Sequence, residues 1–139
     1  MYDLDRFLKA QERDYDTALS EIRSWRKRSH WIWYIFPQVK GMGFSSTSEF
    51  YGIDGLDEAK AYLGNEVLKG RLLEISGALL SLDSSDAGEV MGYPDDLKLR
   101  SSMTLFAEAA PELEVFRKVL DKFYGGEKDR KTLEILKRR

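Results

Sequence analysis

Apolar residues recur at the spacing of an α-helix along most of this chain, which is typical of a series of amphipathic helices. A short first helix is predicted over residues 3–10. A second helix is predicted from residue 15 onward, with Asp14 as its N-cap. Its apolar positions fall at i, i+3, i+4, i+7 and i+10, namely Tyr15, Ala18, Leu19, Ile22 and Trp25.

Later segments repeat this pattern between glycine, proline and serine residues. Asn65 is the expected N-cap of a long helix whose apolar stripe is spaced by four, three and four residues (Leu68, Leu72, Ile75 and Leu79). The Gly125-Gly126 pair is typical of a helix C-terminus. Further helical segments are predicted over residues 47–51, 57–63, 87–91, 94–110, 115–123 and 129–138. The sequence therefore predicts an all-α fold of about seven helices with irregular, non-bundle packing, in a single compact domain spanning residues 1–139.

The window from His30 to Gly43 is the most unusual part of the chain. It holds two of the three tryptophans, the only histidine and one of the three prolines. Its large aromatic side chains each bury on the order of 150–250 Å², so the segment is expected to anchor the core. Residues 31–36 fit either a strand or a short buried helix, and Pro37 must end either one.

Several blocks of the sequence resemble the DUF1810 family. They are HWIWYIFPQVKGMGFSS, FYGI, AKAYLGNEVLKGRLLE, DDLKLRSSMTLF and DRKTLEILK, which are spread over residues 30–137. The resemblance implies a mainly helical domain, which favours a helix over residues 31–36, and it brings no established activity. Family members sometimes carry a calpastatin-like label, but calpastatin is disordered and this composition is that of a packed domain.

Composition excludes several classes of protein. Hydrophobic residues make up 42% of the chain and charged residues 33%, as in an ordinary soluble globule. The chain has no cysteine and one histidine, so we predict no disulfide, no metal site and no cofactor. A net charge of −2 does not favour nucleic-acid binding. We expect no signal peptide and no membrane span, and hence a cytoplasmic location. We also expect the chain to be a monomer or a weak homodimer.

One group of residues is a candidate site for a small polar ligand, anionic or nucleotide-like. A glycine-flanked loop before a hydroxyl-rich helix start offers backbone N–H groups, and a lysine and two serines share one face of a later helix. The two adjacent serines also fit close helix packing with hydroxyls bonded to the i−4 carbonyls. The candidate ligand-binding residues are Trp33, Tyr34, Gln38, Lys40, Gly41, Gly43, Ser45, Ser46, Lys98, Ser101, Ser102 and Thr104.

Two further functions remain open from the sequence. One is a hydrolase or transferase in which His30 acts as general base beside the hydroxyl of Ser101, Ser102 or Thr104. The other is a protein-interaction module that uses exposed aromatic side chains. The first requires the imidazole within hydrogen-bonding reach of a hydroxyl, and the second requires a contiguous apolar patch on the surface.

Overall fold

The computed structural model describes residues 2–138, and nine α-helices lie in that range. The predicted all-α fold is confirmed. The helices outnumber the expected seven because three of them are short pieces of four to six residues. The helices are α1 (Asp5–Arg23), α2 (Ile32–Ile35), α3 (Ser46–Tyr51), α4 (Gly55–Gly64), α5 (Glu66–Leu80), α6 (Ala87–Met91), α7 (Asp95–Ala109), α8 (Val115–Tyr124) and α9 (Arg130–Arg138).

Helix α7 lies at the centre of the packing. It contacts α2, α4, α6, α8 and α9, while α5 packs between α1, α4 and α8. Phe106 of α7 is fully buried, with its ring 5.2 Å from that of Tyr62 and 5.7 Å from that of Phe116. A helix surrounded on this many sides buries polar as well as apolar positions, among them Ser101, Ser102 and Thr104, which explains its weak amphipathic pattern.

The prediction of two helices before residue 24 is wrong, because α1 runs unbroken from Asp5 to Arg23. Asp14 lies inside the helix, where it accepts a hydrogen bond from the Tyr34 hydroxyl instead of capping an N-terminus. The apolar stripe was interrupted by Gln11, a polar residue that occupies a core position. Its Nε2 donates to the Tyr34 carbonyl at 2.8 Å and to the Tyr62 hydroxyl at 2.9 Å.

The aromatic segment forms a short buried helix, α2, as the family resemblance implied. After Pro37 the backbone runs parallel to Ile53, whose carbonyl accepts from Lys40 N at 2.8 Å and whose N–H donates to Gln38 O at 2.9 Å. Gly52 permits this approach, because an added Cβ would lie 2.9 Å from Lys40 Cα. The bridge fixes the two ends of the intervening segment and projects residues 41–45 outward.

Several predicted helix ends are confirmed. Asn65 caps α5, its side chain accepting from Val67 N and Leu68 N. Helix α6 ends before Gly92, and α8 ends at Gly125 in the left-handed region (φ 61°). Of the helices described, none is both long and apolar enough to cross a membrane.

Candidate functional site

Residues 40–45, here called the glycine loop, separate two spaces at the surface. On one side the loop lies on α9, where Thr132 Oγ1 is 3.8 Å from Met42 Sδ. On the other side Gly43 lies against Ser48 and Trp33, and a Cβ added to Gly43 would be 2.9 Å from Ser48 Oγ. Glycine is therefore required at position 43 for the loop to close down on α3.

The space on the α9 side is an open groove of about 620 Å³, here called the basic groove. Of the lining residues within 2–138, three are cationic and one is anionic, although the whole chain carries a net charge of −2. Such a local excess of positive charge raises the concentration of anions near it. The lining residues are Lys40, Gly41, Lys131, Glu134, Ile135 and Arg138.

Sequence reasoning missed the contribution of α9 to this groove. Lys131, Glu134, Ile135 and Arg138 fall at i, i+3, i+4 and i+7, so they share one face of the helix. That spacing was visible in the sequence, but a basic C-terminal helix normally indicates charges that complement the helix dipole. The loop that covers this face comes from about ninety residues earlier, and no local pattern connects the two.

Two aromatic side chains lie at the glycine loop, Phe44 within it and Trp33 beside it. Phe44 is 95% exposed, and Lys131 Nζ lies 5.9 Å from the centre of its ring. Trp33 is half-buried, and Lys98 Nζ lies over its ring at 4.3 Å. Lys98 also pairs with Asp95 at 3.2 Å. Each ring thus has a cation on its face, which is an attractive arrangement.

The space on the other side of the loop is a small cavity, here called the loop cavity. Its walls include Trp33, Gln38, Met42, Gly43 and Tyr51. The accessible volume is about 10 Å³, which is room for about one water molecule. Gln38 is 5% exposed, and its Nε2 has no hydrogen-bond partner among the protein atoms of residues 2–138. A buried amide left unpaired costs about 1–3 kcal/mol, so its retention calls for an explanation.

The hydroxyls predicted to share this site lie inside the packing around α7. Ser101 donates to the Leu97 carbonyl at 3.2 Å and Thr104 donates to the Arg100 carbonyl at 2.8 Å, both four residues back along the helix. Ser102 is fully buried. Thr104 Oγ1 also accepts from Asp129 N at 2.8 Å, which fixes the start of α9. Burial of both serines and the Ser101 bond fit the packing interpretation, while Ser102 Oγ has no hydrogen-bond partner among the described protein atoms. Lys98 is the member of that face that meets Trp33.

Two of the remaining predicted ligand residues, Ser45 and Tyr34, have structural contacts. Ser45 is the N-cap of α3, its Oγ accepting from Ser48 N at 3.1 Å, and Ser46 is exposed. Tyr34 is buried, and burial together with its hydrogen bond to Asp14 raises the pKa of its hydroxyl. Tyr34 therefore holds α2 against α1 instead of facing the glycine loop.

His30 lies in an exposed position ahead of α2. Its carbonyl accepts from the Tyr34 hydroxyl at 3.5 Å. Ser101, Ser102 and Thr104 are buried, and two of them already donate to helix carbonyls. In residues 2–138 no three histidine, aspartate or glutamate side chains are grouped so that they could hold a metal ion.

Lys98→Ala is expected to change the free energy of unfolding by about 1 kcal/mol or less. The lysine is partly exposed, and its ion pair and ring contact are both of the weak surface kind. Asp95 keeps its other partner, Lys27, at 2.6 Å. Urea denaturation beside Lys118→Ala, which removes an exposed lysine of α8, measures the difference. A loss of several kcal/mol would instead make Lys98 a structural residue.

Comparison with known proteins places the chain in a family. The crystal structure of the conserved hypothetical protein Rv1873 from Mycobacterium tuberculosis superimposes with a TM-score of 0.95 and is 45% identical, covering 98% of this chain and 97% of that one. No curated protein matches the sequence. The family model described as "Protein of unknown function (DUF1810)" matches residues 1–136. The chain therefore belongs to the DUF1810 family.

Proposed function

We propose that this protein binds a small anionic molecule, such as a phosphorylated metabolite or nucleotide, in the basic groove. The observation that carries the proposal is the reversal of charge there: among the described residues that line the groove, Lys40, Lys131 and Arg138 outnumber the one carboxylate, Glu134, in a chain that is acidic overall. A groove of about 620 Å³ also falls within the usual size of a small-molecule site.

The arrangement of charges suits an elongated ligand. Lys131 and Arg138 are seven residues apart on α9, a rise of about 10 Å, so they can pair with two separate negative groups. Glu134 lies between them on the same face and is an acceptor for a hydroxyl group. An arginine binds phosphate through two parallel hydrogen bonds, while a lysine acts as a point charge. A sugar phosphate or nucleotide carries both the hydroxyl and the anionic groups that these side chains would bind.

Lys131→Ala is expected to weaken the binding of ribose 5-phosphate and inorganic pyrophosphate about tenfold, because one charge-assisted contact is lost. Isothermal titration calorimetry on the full chain measures the change. Lys137→Ala is the matched control, since it removes a cation from the same helix that does not line the groove. We expect the control to weaken binding less than twofold.

Two outcomes would contradict the proposal. In the first, neither ribose 5-phosphate nor pyrophosphate releases heat or raises the melting temperature of the native chain, although a ligand at 100 times its Kd adds about 2.7 kcal/mol of stability. In the second, Lys131→Ala and Lys137→Ala weaken binding equally. That result would show that the anion is attracted to the total positive charge of α9 and does not bind specifically in the basic groove.

The hydrolase or transferase alternative has less support, because His30 is exposed while the candidate hydroxyls are buried in the packing of α7. The interaction module would need its exposed aromatic residues, Phe44 among them, to form one apolar patch, and Phe44 has a lysine on its ring. A cytoplasmic location and a monomeric or weakly dimeric state complete the proposal.

A further inference from the structure

The Gln38 side chain starts from a rigid piece of backbone. The Gln38 carbonyl accepts from Ile53 N, and Lys40 N donates to the Ile53 carbonyl, so the backbone from Gln38 to Lys40 is fixed against Ile53. Its side-chain amide is buried at the wall of the loop cavity, and Nε2 has no partner among the described protein atoms. A fixed donor of this kind is oriented before any ligand arrives.

The loop cavity has a floor of helical residues and a roof from the glycine loop. Trp33 of α2 and Tyr51 of α3 form part of the floor. Met42 and Gly43 form the roof, and both are partly exposed; Met42 packs against the edge of the core, with its sulfur 3.8 Å from Thr132 Oγ1. Movement of the roof would widen the cavity without disturbing the floor.

The same loop separates the loop cavity from the basic groove. Lys40 and Gly41 line the groove, and Met42 and Gly43 line the cavity. Gly41 has a φ of 103°, a conformation that glycine adopts readily, and it is exposed. If residues 41–44 lift, the two spaces join into one elongated site with cations at one end and a buried amide donor at the other.

We infer that the loop cavity is the closed form of a ring-binding subsite, in which Gln38 Nε2 donates a hydrogen bond to a heteroaromatic ring whose phosphate occupies the basic groove. This inference rests on the proposed function and names its ligand class: a nucleoside phosphate or a similar ring-bearing phosphate. The ring enters beneath the lifted loop, beside the aromatic side chains of Trp33 and Tyr51.

The chemistry of the walls selects this class of ligand. Trp33 and Tyr51 make part of the cavity wall aromatic, and an aromatic wall favours a flat ring. Gln38 Nε2 is a hydrogen-bond donor, so it requires an acceptor such as a ring nitrogen or a ring carbonyl. Nucleobases carry both features, whereas sugar phosphates without a base have acceptor oxygens but no flat ring. The subsite is therefore expected to discriminate by the ring, while the groove binds any phosphate.

The test compares ribose 5-phosphate with AMP, GMP, CMP and UMP by isothermal titration calorimetry. We expect at least one nucleotide to bind the native chain tenfold or more tightly than ribose 5-phosphate. In Gln38→Met, which keeps the length of the side chain and removes the donor, that preference should fall below twofold. The affinity for ribose 5-phosphate should stay within twofold of native. Gln38→Glu, which replaces the donor with an acceptor, is the second variant should Gln38→Met fail to fold.

Phe44→Ala decides between two places for the ring. Phe44 is an exposed aromatic side chain of the glycine loop itself, so it is the alternative stacking surface outside the loop cavity. The inference predicts that Phe44→Ala keeps at least half of the native preference for the nucleotide. It is overturned if the preference is lost in Phe44→Ala and kept in both Gln38 variants.

The remaining outcomes separate this inference from the proposed function. Binding of ribose 5-phosphate with no preference for any nucleotide would overturn the inference and leave the basic groove as an anion site. The Gln38 amide would then serve the fold alone. Failure of every phosphate to bind would overturn both.

Discussion

Glu58→Ala is expected to lower the free energy of unfolding by about 3–5 kcal/mol, because it leaves a buried positive charge without its counter-charge. Glu58 Oε2 lies 2.8 Å from Arg6 Nη2, and the two side chains are 4% and 9% exposed. Glu58 Oε1 also accepts from Asp54 N at 2.7 Å. The substitution therefore removes two hydrogen bonds, one of which is also the ion pair with Arg6.

The Arg6 guanidinium connects this ion pair to the candidate site. It donates to the Phe50 carbonyl at 2.8 Å and to the Gly52 carbonyl at 3.0 Å, at the end of α3. Gly52 precedes Ile53, which forms the bridge to Gln38 and Lys40. Loss of Glu58 is thus expected to loosen the segment that holds the glycine loop, beyond its effect on α1 and α4.

Urea denaturation at pH 7 measures the change, with Glu114→Ala as the matched control. Glu114 pairs with Arg117 at 2.9 Å on the exposed side of α8, so its loss is expected to cost less than about 1 kcal/mol. The double variant Arg6→Met with Glu58→Leu should recover part of the loss, since no buried charge remains unpaired. Equal effects of Glu58→Ala and Glu114→Ala would show that the pair contributes no more than a surface contact.

Most helices were predictable because their cause is local. The apolar stripe of α5, the Asn65 cap and the left-handed Gly125 each depend on residues within a few positions of one another. The break predicted within α1 was wrong for a reason that is not local. Gln11 occupies a core position only because Tyr34 and Tyr62, far along the chain, supply its hydrogen bonds.

The candidate site likewise has one part that was predictable from local sequence and one part that only the fold brings to it. The sequence predicted the glycine loop from its own residues, and the structure places it at the surface with Lys40 and Gly41 on the basic groove. The opposite wall came from α9, and only the fold brings Lys131 and Arg138 to the loop. The serine pair of α7 suggested a polar face, but in a helix packed on several sides a hydroxyl such as that of Ser101 binds its own helix backbone.

The stability of the fold is also expected to depend strongly on Glu21, whose side chain binds the turn that leads from α1 to the aromatic segment. The Glu21 carboxylate accepts from Arg28 N at 2.8 Å, Ser29 N at 3.0 Å, Ser29 Oγ at 2.6 Å and Trp31 Nε1 at 2.9 Å. Burial raises the pKa of Glu21, but these hydrogen bonds outweigh it and lower the pKa to about 2, from 4.5 for an ordinary glutamate. One side chain thus orders residues 28–31 ahead of α2.

Glu21→Ala is expected to destabilise the fold by about 2–4 kcal/mol at pH 7, because the Trp31 indole N–H is left buried without an acceptor. Glu21→Gln keeps the acceptor oxygen and loses the charge, so we expect about 1–2 kcal/mol. Urea denaturation measures both variants. Glu12→Ala is the control, since Glu12 is an exposed glutamate on the same helix, and its effect should stay within about 0.5 kcal/mol.

The pH dependence distinguishes the charge of Glu21 from its packing. A carboxyl whose pKa is lower in the folded state stabilises the fold above its unfolded value of 4.5, and this contribution is lost as the pH falls from 4.5 towards 2. The gap in unfolding free energy between the native chain and Glu21→Gln should therefore be constant above about pH 5.5 and narrow steadily below pH 4.5. A gap that does not change between pH 7 and pH 3 would mean that the ionised carboxylate contributes nothing, and that Glu21 orders the turn by its shape and acceptor oxygens alone.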